Sequence, residues 1–178
     1  HADDLRFSEK GVDEVHKKIV LRLSNVVAFY ELYAQHDTNP RMETNDTNNV
    51  LDEWIVARLA EVTNTMTEHF DRYEIDKAVR PIGEFVDDLS TWYIRRSRDR
   101  FKGDDASDKY AALETTRSVL LTFSKLIAPS MPFLAEDIYK RARGEKASVH
   151  VEAWPTQSKV ESPYTAEPSG FRQKSEVL

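Results

Sequence analysis

The chain has 178 residues, 40% of them hydrophobic, with 25 Lys and Arg against 31 Asp and Glu for a net charge of −6. That is apolar content for one core; there is no cysteine to form disulfides or thiolate metal sites, and no apolar run approaches the ~20 residues of a membrane span. A soluble protein of a reducing, cytoplasmic compartment is expected, and the acidic balance argues against indiscriminate nucleic-acid binding while leaving room for a local basic site.

Residues 1–10 read as an irregular lead-in, and a start on His rather than Met reads as a piece of a longer chain. From Val12, apolar residues recur at Val15, Ile19, Leu23, Val26, Val27, Tyr30 and Tyr33, the spacing of one helix face. A polar loop over 35–49 follows, in which Asn48 or Asn49 is placed to cap a second helix. That helix carries Leu51, Trp54, Ile55, Leu59, Val62, Met66 and Phe70. After a tight joint at 72–76, a third helix carries Ile75, Ile82, Phe85, Leu89, Trp92 and Tyr93. A bend is expected near Pro81 and Gly83, because proline lacks one helical hydrogen bond.

Gly103-Asp104-Asp105 breaks the pattern. Ser107 or Asp108 is expected to cap a fourth helix with Leu113, Val119, Leu120, Phe123 and Leu126, and Pro132 to open a short fifth helix that ends near Arg143 and is closed by Gly144. Residues 148–154 read as an extended strap with Val149, Val151 and Trp154 turned toward the bundle. Residues 156–178 read as a mobile tail or linker toward a further C-terminal region, with a new helix starting at Phe171.

The class is therefore all-α, an up-down bundle of four long helices plus a short fifth, occupying 11–155. Antiparallel order brings the ends of helices one and three together with the starts of helices two and four. Asn25, Phe29, Tyr33, Trp54, Trp92, Arg95 and Arg96 then converge on one pole.

Trp92 to Phe101 reads Trp-Tyr-Ile-Arg-Arg-Ser-Arg-Asp-Arg-Phe and, with Lys102, sets five cations against Asp99 alone. Such an island suits an anionic partner, since cations neutralise phosphates and aromatic faces accept unstacked bases. It equally suits a purely structural role, in which arginines close the carbonyl end of a helix, and both readings stand. Projection at about 100° per residue puts Arg96 and Arg100 on the apolar stripe, held by carboxylates, and turns Arg95, Arg98 and Lys102 outward as phosphate binders. Trp92 falls on the stripe's edge, suited to core or to stacking. No Gly-rich phosphate loop is present, and His1, His16, His36, His69 and His150 lack metal-ligand spacing. Glu84, Asp87 and Asp88 read as arginine partners rather than as acid–base groups.

Several stretches together resemble a known family: Asp4-Leu5-Arg6-Phe7-Ser8-Glu9, Leu51-Asp52-Glu53-Trp54-Ile55, Phe85 to Phe101, Ala128-Pro129-Ser130-Met131-Pro132-Phe133-Leu134-Ala135-Glu136, and Ser148-Val149-His150-Val151-Glu152-Ala153-Trp154-Pro155. They look like the anticodon-binding helical domain of isoleucyl-tRNA synthetases, class I enzymes, and of the branch with eukaryote-like bacterial members. Leu-Asp-x-Trp-Ile and Ala-Pro-x-x-Pro-Phe are shared with valyl and leucyl relatives, whereas the Arg-rich segment and the last stretch favour isoleucine. Ser24-Asn25 stands where the family usually reads Trp-Asn.

The resemblance implies a parent enzyme that joins isoleucine to tRNA(Ile) using ATP and Mg through an aminoacyl-adenylate. Neither His-Ile-Gly-His nor Lys-Met-Ser-Lys-Ser occurs here, so this stretch is expected to be inactive alone and to bind no cofactor. Its implied partners are tRNA(Ile) and the catalytic domain of the same enzyme, with no membrane or DNA, and the fragment is expected to be a monomer. The candidate tRNA-binding residues are Asn25, Phe29, Tyr33, Trp92, Arg95, Arg96, Arg98 and Lys102, with no catalytic or metal-binding residue. A valyl- or leucyl-type domain, or a purely structural or protein-interaction bundle, is the alternative.

Overall fold

The computed structural model describes residues 8–34 and 49–156, so the polar loop before residue 49 and the tail from residue 157 lie outside the described residues. Those described form six helices and one short turn, with no strand among them. Helix α1 spans 9–34, α2 Val50–Asp71, α3 75–96, α4 Arg98–Lys102, α5 Ala106–Ile127 and α6 Pro132–Arg141; a 3-10 turn follows at Val149–Val151. The all-α class and the long antiparallel helices are as the apolar spacing requires.

Local chemistry sets the helix boundaries. Ser8 Oγ accepts from the Gly11 N–H at 3.1 Å, so α1 opens at Glu9, inside the stretch expected as lead-in. Asn49 Oδ1 accepts from the Leu51 N–H at 3.0 Å and starts α2. Asp105, not Ser107 or Asp108, caps α5, taking the N–H groups of both at 3.0 and 3.2 Å. A carboxylate one residue ahead of the first turn meets the unpaired donors directly, and Asp108 is left free for another partner. The joint between α2 and α3 turns on Tyr73, at φ 57, with Glu74 N–H bonded to His69 O at 2.9 Å. At Pro81 the chain stays helical, with Arg80 at φ −57 and ψ −42, so proline costs a hydrogen bond without ending α3.

Two stretches, His16–Leu21 in α1 and Asp88–Ile94 in α3, are wound in wide i→i+5 turns. Leu23, Val26 and Val27 of α1, Ile55 and Met66 of α2, Phe85, Val86 and Leu89 of α3, and Leu120, Phe123 and Leu126 of α5 form one core. Phe85 and Phe123 meet at 4.7 Å between ring centres. Each such side chain contributes roughly 1.5–3 kcal/mol on burial, which is what closes the bundle. Asp87 and Asp88 do pair with arginines, but with Arg22 of α1 and Arg58 of α2 rather than with those that follow on α3.

After α6 the chain doubles back. Arg143 takes φ 59, and a Cβ on Gly144 would lie 2.1 Å from the Tyr139 ring, so glycine is required here by close approach. Glu136 then accepts from Ser148 Oγ and from the Val149 N–H, both at 2.9 Å. Val149 is buried, and Trp154 packs edge-on against Phe70 at 5.5 Å while donating its Nε1–H to Thr67 Oγ1 at 2.8 Å. Val151, expected to face the bundle, is exposed because the turn at Val149–Val151 breaks the alternation of an extended strap. No helix among the described residues is long and apolar enough to cross a membrane, and they hold no cluster of potential metal ligands.

Candidate nucleic-acid interface

The last turns of α1, the end of α3 and the whole of α4 meet the start of α2 and α5 at one end of the bundle. Phe101 of α4, fully buried, packs edge-on against Phe29 at 5.0 Å and at a tilt against Tyr33 at 5.8 Å, and Phe29 and Tyr33 themselves meet at 4.9 Å. A second pair, Trp54 of α2 and Trp92 of α3, lies 6.4 Å apart between ring centres. Trp92 is 50% exposed; the core position beside it belongs to Tyr93.

The arginines divide differently from their helical projection. Arg100 behaves as expected: its guanidinium forks onto both Asp52 oxygens at 2.7 and 2.8 Å, and its Nε donates to Asp108 at 2.7 Å. Burial opposes that charge, but the two carboxylates outweigh it and hold the Arg100 pKa above its ordinary value. Arg96 does not. Instead of reaching a carboxylate it is exposed, with its guanidinium carbon over the Trp92 ring at 4.1 Å from the centroid. The physical reason is the wide turn over Asp88–Ile94, which rotates the residues after it away from the 100° register assumed for an ordinary helix.

Arg98 is exposed and lies 5.9 Å from the Phe29 ring centroid, and Arg95 and Lys102 are exposed as well. Among the described residues, none of Arg95, Arg96, Arg98 and Lys102 forms an ion pair, whereas Arg22, Arg58, Arg100 and Arg141 all do. Four cations with no ion-pair partner among the described residues thus border two aromatic clusters, and exposed cations of this kind suit phosphate contact. Phe29 and Tyr33 are partly buried, committed in part to Phe101, while Asn25 is exposed one turn earlier on α1.

Residues 52–177 match the family described as the anticodon-binding domain of tRNA ligase. The chain belongs to that family. Its relatives include the isoleucine–tRNA ligase of Chlamydia trachomatis serovar D, 44% identical over 158 residues, and that of Chlamydia pneumoniae, 42% identical over 159. Isoleucine–tRNA ligase 2 of Bacillus thuringiensis subsp. konkukian is 45% identical over 152 residues. These alignments take in 84–86% of this chain and 14–15% of each relative, so the chain spans about 15% of the length of the proteins it matches.

Within this anticodon-binding domain, sequence reasoning missed the group that ties the pole together. Asp52, 8% exposed, accepts from the Tyr93 hydroxyl at 2.7 Å as well as from Arg100. Burial pushes the Tyr93 phenol well above its usual pKa and the adjoining Asp52 carboxylate pushes it further, so it remains a donor. The available signal was an aspartate in the first turn of α2, which also favours the helix dipole and so gave no reason to look for partners 41 and 48 residues away.

Proposed function

We propose that this domain binds the anticodon arm of a tRNA, tRNA(Ile), as part of an isoleucine–tRNA ligase. The observation that carries the reading is the set of exposed cations, Arg95, Arg96, Arg98 and Lys102, gathered beside the Trp54–Trp92 and Phe29–Tyr33 clusters at one pole. Arg95, Arg98 and Lys102 contact phosphates and set the register of the RNA; Trp92, with Arg96, offers a flat surface to an unstacked base, and Asn25 supplies donor and acceptor groups to a base edge. Phe29 and Tyr33 line the floor between them. The family to which the chain belongs and the names of its relatives support tRNA as the nucleic acid and isoleucine as the amino acid.

The chemistry that uses ATP and Mg belongs to the rest of the whole protein, whose catalytic domain is the second partner of this monomeric module in the cytoplasm. Binding should be tested by titrating the domain with a tRNA(Ile) transcript, and with the same transcript carrying an unrelated anticodon, at several salt concentrations. The expected result is binding that weakens linearly on a log–log salt plot and is tighter for the matching anticodon. Equal affinity for both transcripts overturns base reading, and no binding at low salt overturns the RNA surface itself.

A further inference from the structure

Helix α4 does not continue the hydrogen-bond ladder of α3. Ser97 interrupts it at φ −84 and ψ 0, and the N–H groups of Arg100 and Phe101 bond to the carbonyl of Ser97 itself, at 3.0 and 3.3 Å. The Ser97 hydroxyl is buried and has no hydrogen-bond partner among the described residues, so its own side chain does not fix the joint. A joint of this kind leaves the angle between the two helices to side chains on either side of it.

Two cations of the candidate surface, Arg95 and Arg96, stand before the joint; the other two, Arg98 and Lys102, stand after it. Their mutual spacing therefore depends on that angle. Asp52 is bonded on both sides: to the Tyr93 hydroxyl, on α3, at 2.7 Å, and to the Arg100 guanidinium, on α4, at 2.7 and 2.8 Å. Asp108 holds Arg100 alone, and Phe101 anchors α4 to α1 through Phe29 and Tyr33. Asp52 sits on a third helix, capped at Asn49 and packed into the core through Ile55, so the bridge has a rigid base.

We infer that Asp52 is a positioning residue for RNA: without touching the nucleic acid, it sets the α3–α4 angle and thereby the spacing of the Arg95–Arg96 and Arg98–Lys102 pairs along the phosphate backbone. The functional consequence rests on the tRNA-binding reading above, whereas the geometry does not. Phosphates along a folded strand are held at fixed intervals, so cations count fully only when their spacing matches. Removing the carboxylate charge leaves Arg100 with Asp108 as its one remaining carboxylate, and α4 can tilt with Arg98 and Lys102 on it.

The test uses the full 178-residue chain with Asp52→Asn, with Arg98→Ala/Lys102→Ala, and with all three changes, each first shown to be helical. Binding to a tRNA(Ile) transcript is measured across salt concentrations. Asp52→Asn is expected to flatten the log–log salt slope by one to two contacts, at ~0.7–0.9 per phosphate lost, and to add nothing once Arg98 and Lys102 are gone. An unchanged slope, or a loss that adds fully to that of the double substitution, overturns the inference.

Should Asp52→Asn fail to fold, Tyr93→Phe releases the α3 side of the bridge alone and takes its place. Amide hydrogen exchange gives a readout without RNA. The hydrogen-bonded amides of Arg100, Phe101 and Lys102 should exchange about tenfold faster in the variant while those around Leu120 and Phe123 keep their protection. Equal protection of α4 overturns the inference even if RNA binding is lost. If the unaltered chain binds no tRNA, the functional reading fails and exchange alone decides whether Asp52 holds the joint.

Discussion

Arg96 lies over Trp92, its guanidinium carbon 4.1 Å from the ring centroid, and the pair stands beside Trp54 in solvent. Plate on plate, this is a platform one base wide. Trp92→Ala should weaken tRNA binding by about 1–3 kcal/mol, the range for one base stacked on an aromatic ring. Its half-exposed side chain limits the stability change to less than about 1 kcal/mol in urea denaturation. Arg96→Lys separates charge from shape: it should keep the salt slope and still lose affinity, because an ammonium cannot stack as a planar guanidinium does. Retained affinity in both variants would remove the platform from the mechanism.

Gly83 and Gly144 should respond to a side chain in opposite directions. Gly83 lies within α3 and a Cβ there meets nothing within 4 Å, so Gly83→Ala should raise stability by about 0.5–1 kcal/mol through reduced backbone entropy in the unfolded chain. Gly144→Ala drives a methyl into the Tyr139 ring and should lower stability by about 1–3 kcal/mol. Thermal melts of the two variants side by side give the comparison, and a shared sign would contradict it.

Acid should loosen the strap. The hydrogen bond from Lys140, followed by those from the Val149 N–H and Ser148, lowers the Glu136 pKa from 4.5 to about 2. A depressed folded-state pKa means the contribution is complete above the unfolded value and is lost as pH falls through the folded one, here between about 4.5 and 2. Glu152, lowered first by its bond from the Tyr139 hydroxyl and held also by Lys146, acts in the same direction. Trp154 fluorescence, followed in a Trp54→Phe/Trp92→Phe background, should shift toward that of an exposed indole over this range. Glu136→Gln should already show part of the shift at neutral pH.

Tyr93→Phe removes one donor from a buried carboxylate that keeps its fork from Arg100, and should cost about 1 kcal/mol, at the low end for a lost buried hydrogen bond. Equilibrium urea denaturation is the measurement, with an unchanged m-value expected because the folded surface stays the same.

Much of the bundle was legible because its apolar residues repeat with helical period and because Asn49, Pro132 and Gly144 punctuate it where their chemistry requires. The same reasoning located the pole and the buried role of Arg100. It failed at Arg96, since no residue pattern marked the wide turn over Asp88–Ile94, and at Val151, where a turn replaced extended chain. Asp52 was missed for a different reason: its partners come from distant segments, and a local reading of α2 sees only a favourable first-turn acid. The cap of α5 shows the same limitation in reverse, since Ser107 and Asp108 are good capping residues and only the backbone geometry at Asp105 decides between the three.

The wide turn of α3 works as a vernier on the helix. It takes up about one residue more than ordinary winding would, so removing one residue from Asp88–Ile94 would let the stretch relax while the side chains beyond it kept nearly the same direction. A second residue removed would find no such slack, and every side chain beyond would turn by roughly 100°, so that Arg95 and Arg96 trade outward for inward directions without any change in their identity. Which cations this domain shows to solvent is thus a matter of residue count as much as residue type, and removing two residues there should erase the surface where removing one spares it.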